Sequence, residues 1–308
     1  MKKLIFILIP MLLISCGAYK NHENTAKNVN DYANEQVFVL KGYQPIDPVS
    51  INYNGFSNDD IIHCFPNEAT RVAVGKLSSN GSLAFGNNVI ARKGESYTII
   101  IDYIKYITTS IPATYINELD YLNSQVRSKI TLSTQFGTIG GLKNYKKEIK
   151  ENDSISSASY SSQKVKIPVY VGVGLRIQAN IFILDDSLNI NLGSLYNLGI
   201  AASQNKLNGT MIIQTLGVSG PQISPILPIP DKINENTIQN AITALATIKS
   251  KLYDNDTNIR ANVVAFGLNY NIEGAKDLVE ATLHSKPPTI KKRDKKDIEF
   301  VEYIMDDK

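Results

Sequence analysis

The 308-residue chain is poor in the residues that build metal and redox sites, with two cysteines and three histidines. No Cys₂His₂ set and no His-Glu-x-x-His motif is present, which argues against a zinc site. There is no phosphate-binding loop ending in Gly-Lys-Ser/Thr and no Gly-x-Ser-x-Gly elbow. Gly172-Val173-Gly174 starts like a dinucleotide loop, but Ile177 replaces its third glycine and the stretch reads as strand. Long apolar runs are also missing. Leu4–Ile14 is eleven residues, and Ser96–Thr109 contains Asp102 and Lys105. A helix needs about 20 apolar residues to span a bilayer, so a multi-span helical membrane protein is excluded. Charge of one sign is scarce too: 32 basic against 29 acidic residues gives +3, which argues against bulk electrostatic binding of nucleic acid.

The N-terminus carries the clearest signal. Lys2 and Lys3 precede the apolar run, which ends in Leu13-Ile14-Ser15-Cys16. A positive n-region and an apolar h-region of this length are the parts of a secretory signal. The four residues resemble the lipobox of bacterial lipoproteins. That resemblance implies cleavage between Ser15 and Cys16, diacylglycerol on the Cys16 thiol and a further acyl chain, such as palmitate, on the new amino group. Two or three acyl chains, at about 0.8 kcal/mol per buried CH₂, give durable anchoring. The expected partner is therefore the lipid bilayer and the expected location the cell envelope. Gly17 follows the cysteine where an Asp would signal inner-membrane retention in many enteric lipoproteins, so the resemblance points to the outer membrane if the cell has one. Loss of Lys2 and Lys3 lowers the formal charge to +1. Lipidation of Cys16 would leave Cys64 as the one thiol, with no intrachain disulfide.

Composition then divides the chain. Residues 1–15 read as signal peptide. Residues 16–36 are polar and Asn-rich and predict a flexible tether. Residues 37–142 predict a β-rich region, in which Ser96–Thr109 is a central strand and Pro112–Val126 a short helix. Residues 143–164, charged and then Ser-rich, predict a linker or long loop. Residues 165–284 predict an α+β region. There every odd position from 165 to 183 is apolar, the mark of a strand with one buried face, and Leu188, Ile190 and Leu192 continue as the second arm of a hairpin. Helices are expected at Asn236–Tyr253, with Asn236 as N-cap and Ile238, Ile242, Leu245, Ile248 and Leu252 as its stripe, and at Ile272–His284. Residues 285–308 form a charged tail. The predicted fold class is α+β, mainly antiparallel sheet with a few packed helices, in one or two domains.

Candidate chemistry is thin. His63 beside Cys64 is the suggestive pair, but neighbours in an extended chain point to opposite sides, and Cys64 reads as a small buried residue. Asp254-Asn255-Asp256 begins like a calcium loop, yet Ile259 stands where Gly is needed and Ala265 where a closing Glu is needed. Asp59-Asp60 and Asp185-Asp186 are adjacent in sequence, which does not place two acids across a substrate. No catalytic, cofactor or metal residue is assigned. Three readings follow: a non-enzymatic envelope lipoprotein that binds or scaffolds an unidentified envelope protein or ligand; a membrane-active or oligomeric assembly protein using the Val165–Leu192 hairpin; and an envelope hydrolase with an unrecognised site.

Overall fold

The computed structural model describes residues 42–52, 56–77, 83–86, 91–122, 125–145, 159–185, 192–268, 274–293 and 297–300. In chain order the elements are β1 (Gln44–Ser50), α1 (Asn58–His63), β2 (Asn67–Leu77), β3 (Leu83–Gly86), β4 (Ser96–Leu122), β5 (Gln125–Thr134), β6 (Gly137–Tyr145) and β7 (Ser159–Ile183). There follow α2 (Leu195–Ser203), β8 (Leu207–Leu216), β9 (Val218–Ser219), β10 (Asp231–Lys232), α3 (Glu235–Lys251), β11 (Asn258–Ile259), β12 (Asn262–Phe266), α4 (Ala275–Ser285), β13 (Ile290–Arg293) and β14 (Asp297–Phe300). The chain is mainly antiparallel sheet with packed helices, an α+β arrangement.

Two very long strands organise it. β4 and β7 pair antiparallel from Ser96↔Phe182 to Leu119↔Ser159, 24 consecutive positions. At about 3.3 Å per residue that ladder is roughly 80 Å along its strands. Each half has different flanks. β2 lies beside β4 at residues 97–106 and β5 beside it at 114–122. β8 lies beside β7 at 174–183 and β12 beside it at 169–172. β4, β5 and β6 form a meander, and β7 returns beside β4, a Greek-key order. The ladder joins strands from the 37–142 region and the 165–284 region in one sheet.

The alternation seen in the sequence is the alternation of the core. Val165, Ile167, Val169, Val171, Val173, Leu175, Ile177, Ala179, Ile181 and Ile183 are all buried in one cluster, with Tyr97, Ile99, Ile101, Tyr103, Ile111, Ala113 and Tyr115 from β4. α3 packs against β7, and α2 against α3. Burying a Val or Ile side chain stabilises by about 1.5–3 kcal/mol, so this face is the main source of cohesion.

Several expectations change. Pro112–Val126 is not a helix: Pro112–Leu122 belongs to β4 and Gln125–Val126 opens β5. Partners on both edges, β7 and β5, satisfy the backbone there, and Ile111, Ala113 and Tyr115 bury at period two. Pro112 itself falls in the stretch between β2 and β5, where β4 has no strand on its outer edge among the described residues. That is where a sheet tolerates a missing N–H. The linker expected at 143–164 contains strand at both ends, since β6 runs to Tyr145 and β7 begins at Ser159; its centre lies outside the described residues. β7 takes β4, β8 and β12 as partners. Of the second arm expected at Leu188–Leu192, residues 188–191 lie outside the described residues, and Leu192 is buried in a turn before α2.

The helices shift by a turn or less. α4 matches the second predicted helix with a later start. α3 is capped by Asn234, not Asn236: Asn234 Oδ1 accepts from Thr237 N at 3.0 Å, and Thr237 Oγ1 accepts from Asn234 N at 2.8 Å. Its buried stripe runs through Ile238, Ala241, Ala244, Ile248 and Leu252, and Ile242 is exposed. In the tail, β13 and β14 form a two-stranded antiparallel sheet.

Candidate functional site

The opposite face of the sheet carries the polar and aromatic groups. Even positions of β4 and β7 point there, and cross-strand register sets three charges in a row: Arg71 on β2 opposite Asp102 on β4, and Asp102 opposite Arg176 on β7. Asp102 and Arg176 are both buried. Arg176 Nε donates to Asp102 Oδ1 at 2.7 Å and Nη2 to Asp102 Oδ2 at 2.7 Å. Arg176 also donates to the carbonyls of Ile46, through Nη1 at 2.6 Å, and Val264, through Nη2 at 2.9 Å. A register shift between Val263 and Ala265 puts Val264 and Ala265 together in this face's small apolar cluster, beside Ile104, Tyr106 and Leu216.

Tyrosines close over the row. Tyr43, just ahead of β1, donates to Asp102 Oδ2 at 2.6 Å. Its ring meets Tyr170 edge-on at 5.2 Å, and Tyr170 lies 5.6 Å from Tyr106. Burial, then the charge and hydrogen bond of Asp102, push the Tyr43 hydroxyl well above its usual range, so it stays a donor. Burial pulls the Arg176 guanidinium down, but the hydrogen bonds and charge of Asp102 outweigh it and leave the group raised.

Arg71 does not join Asp102. Its Nη2 donates to Tyr106 Oη at 3.0 Å, and its Cζ sits 5.9 Å from the Tyr106 ring centre and 6.0 Å from that of Tyr170. These are cation–π distances. Burial lowers the guanidinium's pKa, yet the Tyr106 hydrogen bond and the neighbouring hydroxyls leave it raised.

The glycines that resembled a nucleotide loop serve this packing. A Cβ on Gly174 would lie 1.9 Å from the Tyr103 carbonyl oxygen, and one on Gly172 would lie 2.3 Å from that of Lys105. Only glycine lets β7 lie so close to β4 at these two positions.

The sequence candidates fall elsewhere. Ser15 and Cys16 lie outside the described residues. His63 ends α1, and its Nδ1 is 2.6 Å from the Asp59 carbonyl. Cys64 is the buried C-cap of α1, its Sγ 3.2 Å from the Asp60 carbonyl, so the pair is helical and not extended. Burial pushes the Cys64 thiol up to about 11. Asp59 and Asp60 sit in the first turn of α1, where Asp60 completes a capping box with Ser57. Asp254 pairs with Lys251 at 2.6 Å, and Thr257 N bonds its carbonyl, a polar turn after α3. Among the described residues no group of three or more His, Cys, Asp or Glu side chains could hold a metal ion. Among them no helix is long and apolar enough to cross a membrane.

Sequence reasoning missed the Arg71–Asp102–Arg176 row. Its signal was present: Asp102 in SYTIIIDYIKYITT and Arg176 in VYVGVGLRIQANI are opposite charges in strongly apolar strands. A buried charge demands a partner, and each strand held the other's. Comparison with protein-family models, curated proteins and solved structures returns no match.

Proposed function

We propose that the chain is a lipid-anchored envelope protein whose body binds a partner or ligand and performs no catalysis. The observation that carries the anchor is Leu13-Ile14-Ser15-Cys16 behind Lys2, Lys3 and an eleven-residue apolar run. The use of the strongest buried charges in structural bonds supports a binding body: Asp102 spends both oxygens on Arg176. One folding unit for residues 42–285 belongs to the same reading, and its support is the ladder of β4 and β7.

The test is expression of the wild-type chain and Cys16→Ser in a bacterial host with labelled palmitate. The expected result is label and membrane association for the wild type and neither for the variant. A Cys16→Ser chain that is processed and held at the envelope like the wild type overturns the anchor.

A second reading, a membrane-active assembly protein, draws on the same 24-position ladder, since most strands are only 3–10 residues long. Dye release from liposomes by the Cys16→Ser protein would replace the binding reading with this one. Intact liposomes at micromolar protein would retire it.

A further inference from the structure

We propose that the second face of the sheet holds an oxyanion site built on Arg71 and Tyr106, taking a carboxylate or phosphate group. The cross-strand partner that register offers Arg71 is Asp102. That carboxylate is already spent: Oδ1 accepts from Arg176, and Oδ2 from Arg176 and Tyr43. Arg71 therefore turns along the strand to Tyr106 and lies over two tyrosine rings. Its Nε is shut off from water and has no acceptor among the described residues. Tyr106 Oη takes the Arg71 hydrogen bond as acceptor, and no acceptor for its own proton stands among the described residues. Two donor groups 3.0 Å apart thus share one place and one need.

The charge balance selects the ligand. Two arginines and one aspartate leave the row with one positive charge. The acid of β2, Glu68, lies on the opposite face, where it pairs with Lys249 at 2.5 Å. Arg71 and Tyr170 are half-buried and Tyr106 is buried, so part of the Arg71 side chain meets water while the rings lower the local dielectric. In such a place a charge-assisted hydrogen bond gains strength, and a planar guanidinium matches an oxyanion with two oxygens. The site gives a ligand class to the binding reading and stands on residues unrelated to Cys16. Loss of one therefore leaves the other in place.

The test is calorimetric titration of the full chain in detergent with inorganic phosphate and, separately, sodium acetate at constant ionic strength. Saturable binding of one equivalent of either probe is expected, and the stronger probe assigns phosphate or carboxylate. Arg71→Lys keeps the charge and loses the planar fork, while Tyr106→Phe keeps the ring and loses the hydroxyl. Each should weaken binding about tenfold, with melting temperatures recorded alongside. In the wild type the probe should also shift one arginine Nε–H resonance, the one absent from the Arg71→Lys spectrum. No saturable heat and no such shift up to about 10 mM probe overturns the site. Wild-type affinity in both variants does the same.

Discussion

Asp102 and Arg176 face each other across the middle of the sheet, joined by two parallel 2.7 Å hydrogen bonds and shut off from water. A two-residue slip of β7 along β4 would keep every apolar side chain on its own face, because the side-chain period is two. The same slip would part the two charges. The pair therefore marks one register among several that hydrophobic burial alone would accept. Replacing one partner leaves an uncompensated buried charge, so Asp102→Asn and Arg176→Met should each lose about 3–5 kcal/mol of unfolding free energy. The double variant should lose less than the sum of the two. Urea unfolding measures all three, and single variants within about 1 kcal/mol of wild type would contradict the role given to the pair.

Gly174 tests the close approach of β7 to β4. A methyl group there would meet the Tyr103 carbonyl oxygen at 1.9 Å, and backbone cannot swing away as a side chain can. Gly174→Ala should lose at least about 1–3 kcal/mol, the usual range for overpacking. Gly140→Ala is the control, since its added methyl would find neighbours no nearer than 3.6 Å. Equal melting temperatures for the two variants would show that the strands are less tightly pressed than described.

Much of this architecture can be read locally. The odd positions of 165–183 alternate without a break, and a strand buried on one face is the arrangement that gives them all a core. Residues 112–126 resist the same reading. Tyr115, Ile116, Leu119, Leu122 and Val126 fit a helical stripe, and only the distant partners β5 and β7 make them strand. The cap of α3 shows a smaller version of the problem, with candidate asparagines two residues apart at 234 and 236. The row Arg71–Asp102–Arg176 was hidden for a third reason. Its members come from three strands and its tyrosine cover from β4, β7 and the residue ahead of β1, and pairing register is a property of the folded chain.

Cys64 is predicted to be chemically quiet. A thiol with its pKa pushed up to about 11 holds only about 0.1% thiolate at pH 8, and the thiolate is the reactive form. In Cys16→Ser protein, where Cys64 is the remaining thiol, a disulfide reagent should react far more slowly in native buffer than in urea. One fast equivalent per native chain would mean that α1 leaves the sulfur open.

Acid should weaken the fold modestly through two surface pairs. The hydrogen bond from Lys249 lowers the Glu68 pKa, and that from Lys76 lowers the Glu95 pKa. A carboxyl held below its unfolded value contributes stability above that value, near 4.3, and loses it as pH falls through the folded one. Both pairs are partly exposed, so each contributes about 0.2–1 kcal/mol, less at high salt. Lys76→Met and Lys249→Met should flatten the fall in melting temperature below pH 4. An unchanged profile in both would assign acid sensitivity to other groups.

The cap of α3 gives a comparison between two asparagines in one turn. Asn234 receives the Thr237 N–H, and Thr237 returns a bond to the Asn234 N–H, so two donors at the helix start are satisfied reciprocally. Asn236 lies inside the first turn and makes no capping bond. Asn234→Ala should cost about 1 kcal/mol, and Asn236→Ala should change stability little or raise it, because alanine is the better helix former. α3 packs on β7, and its Ile238, Ala241 and Ile248 are buried, so fraying at its start loosens the cover of the long strand pair. Hydrogen exchange at Ile238 and Ala241 should therefore rise in Asn234→Ala before global unfolding does. A larger loss for Asn236→Ala than for Asn234→Ala would put the helix start at Asn236, where the sequence alone places it.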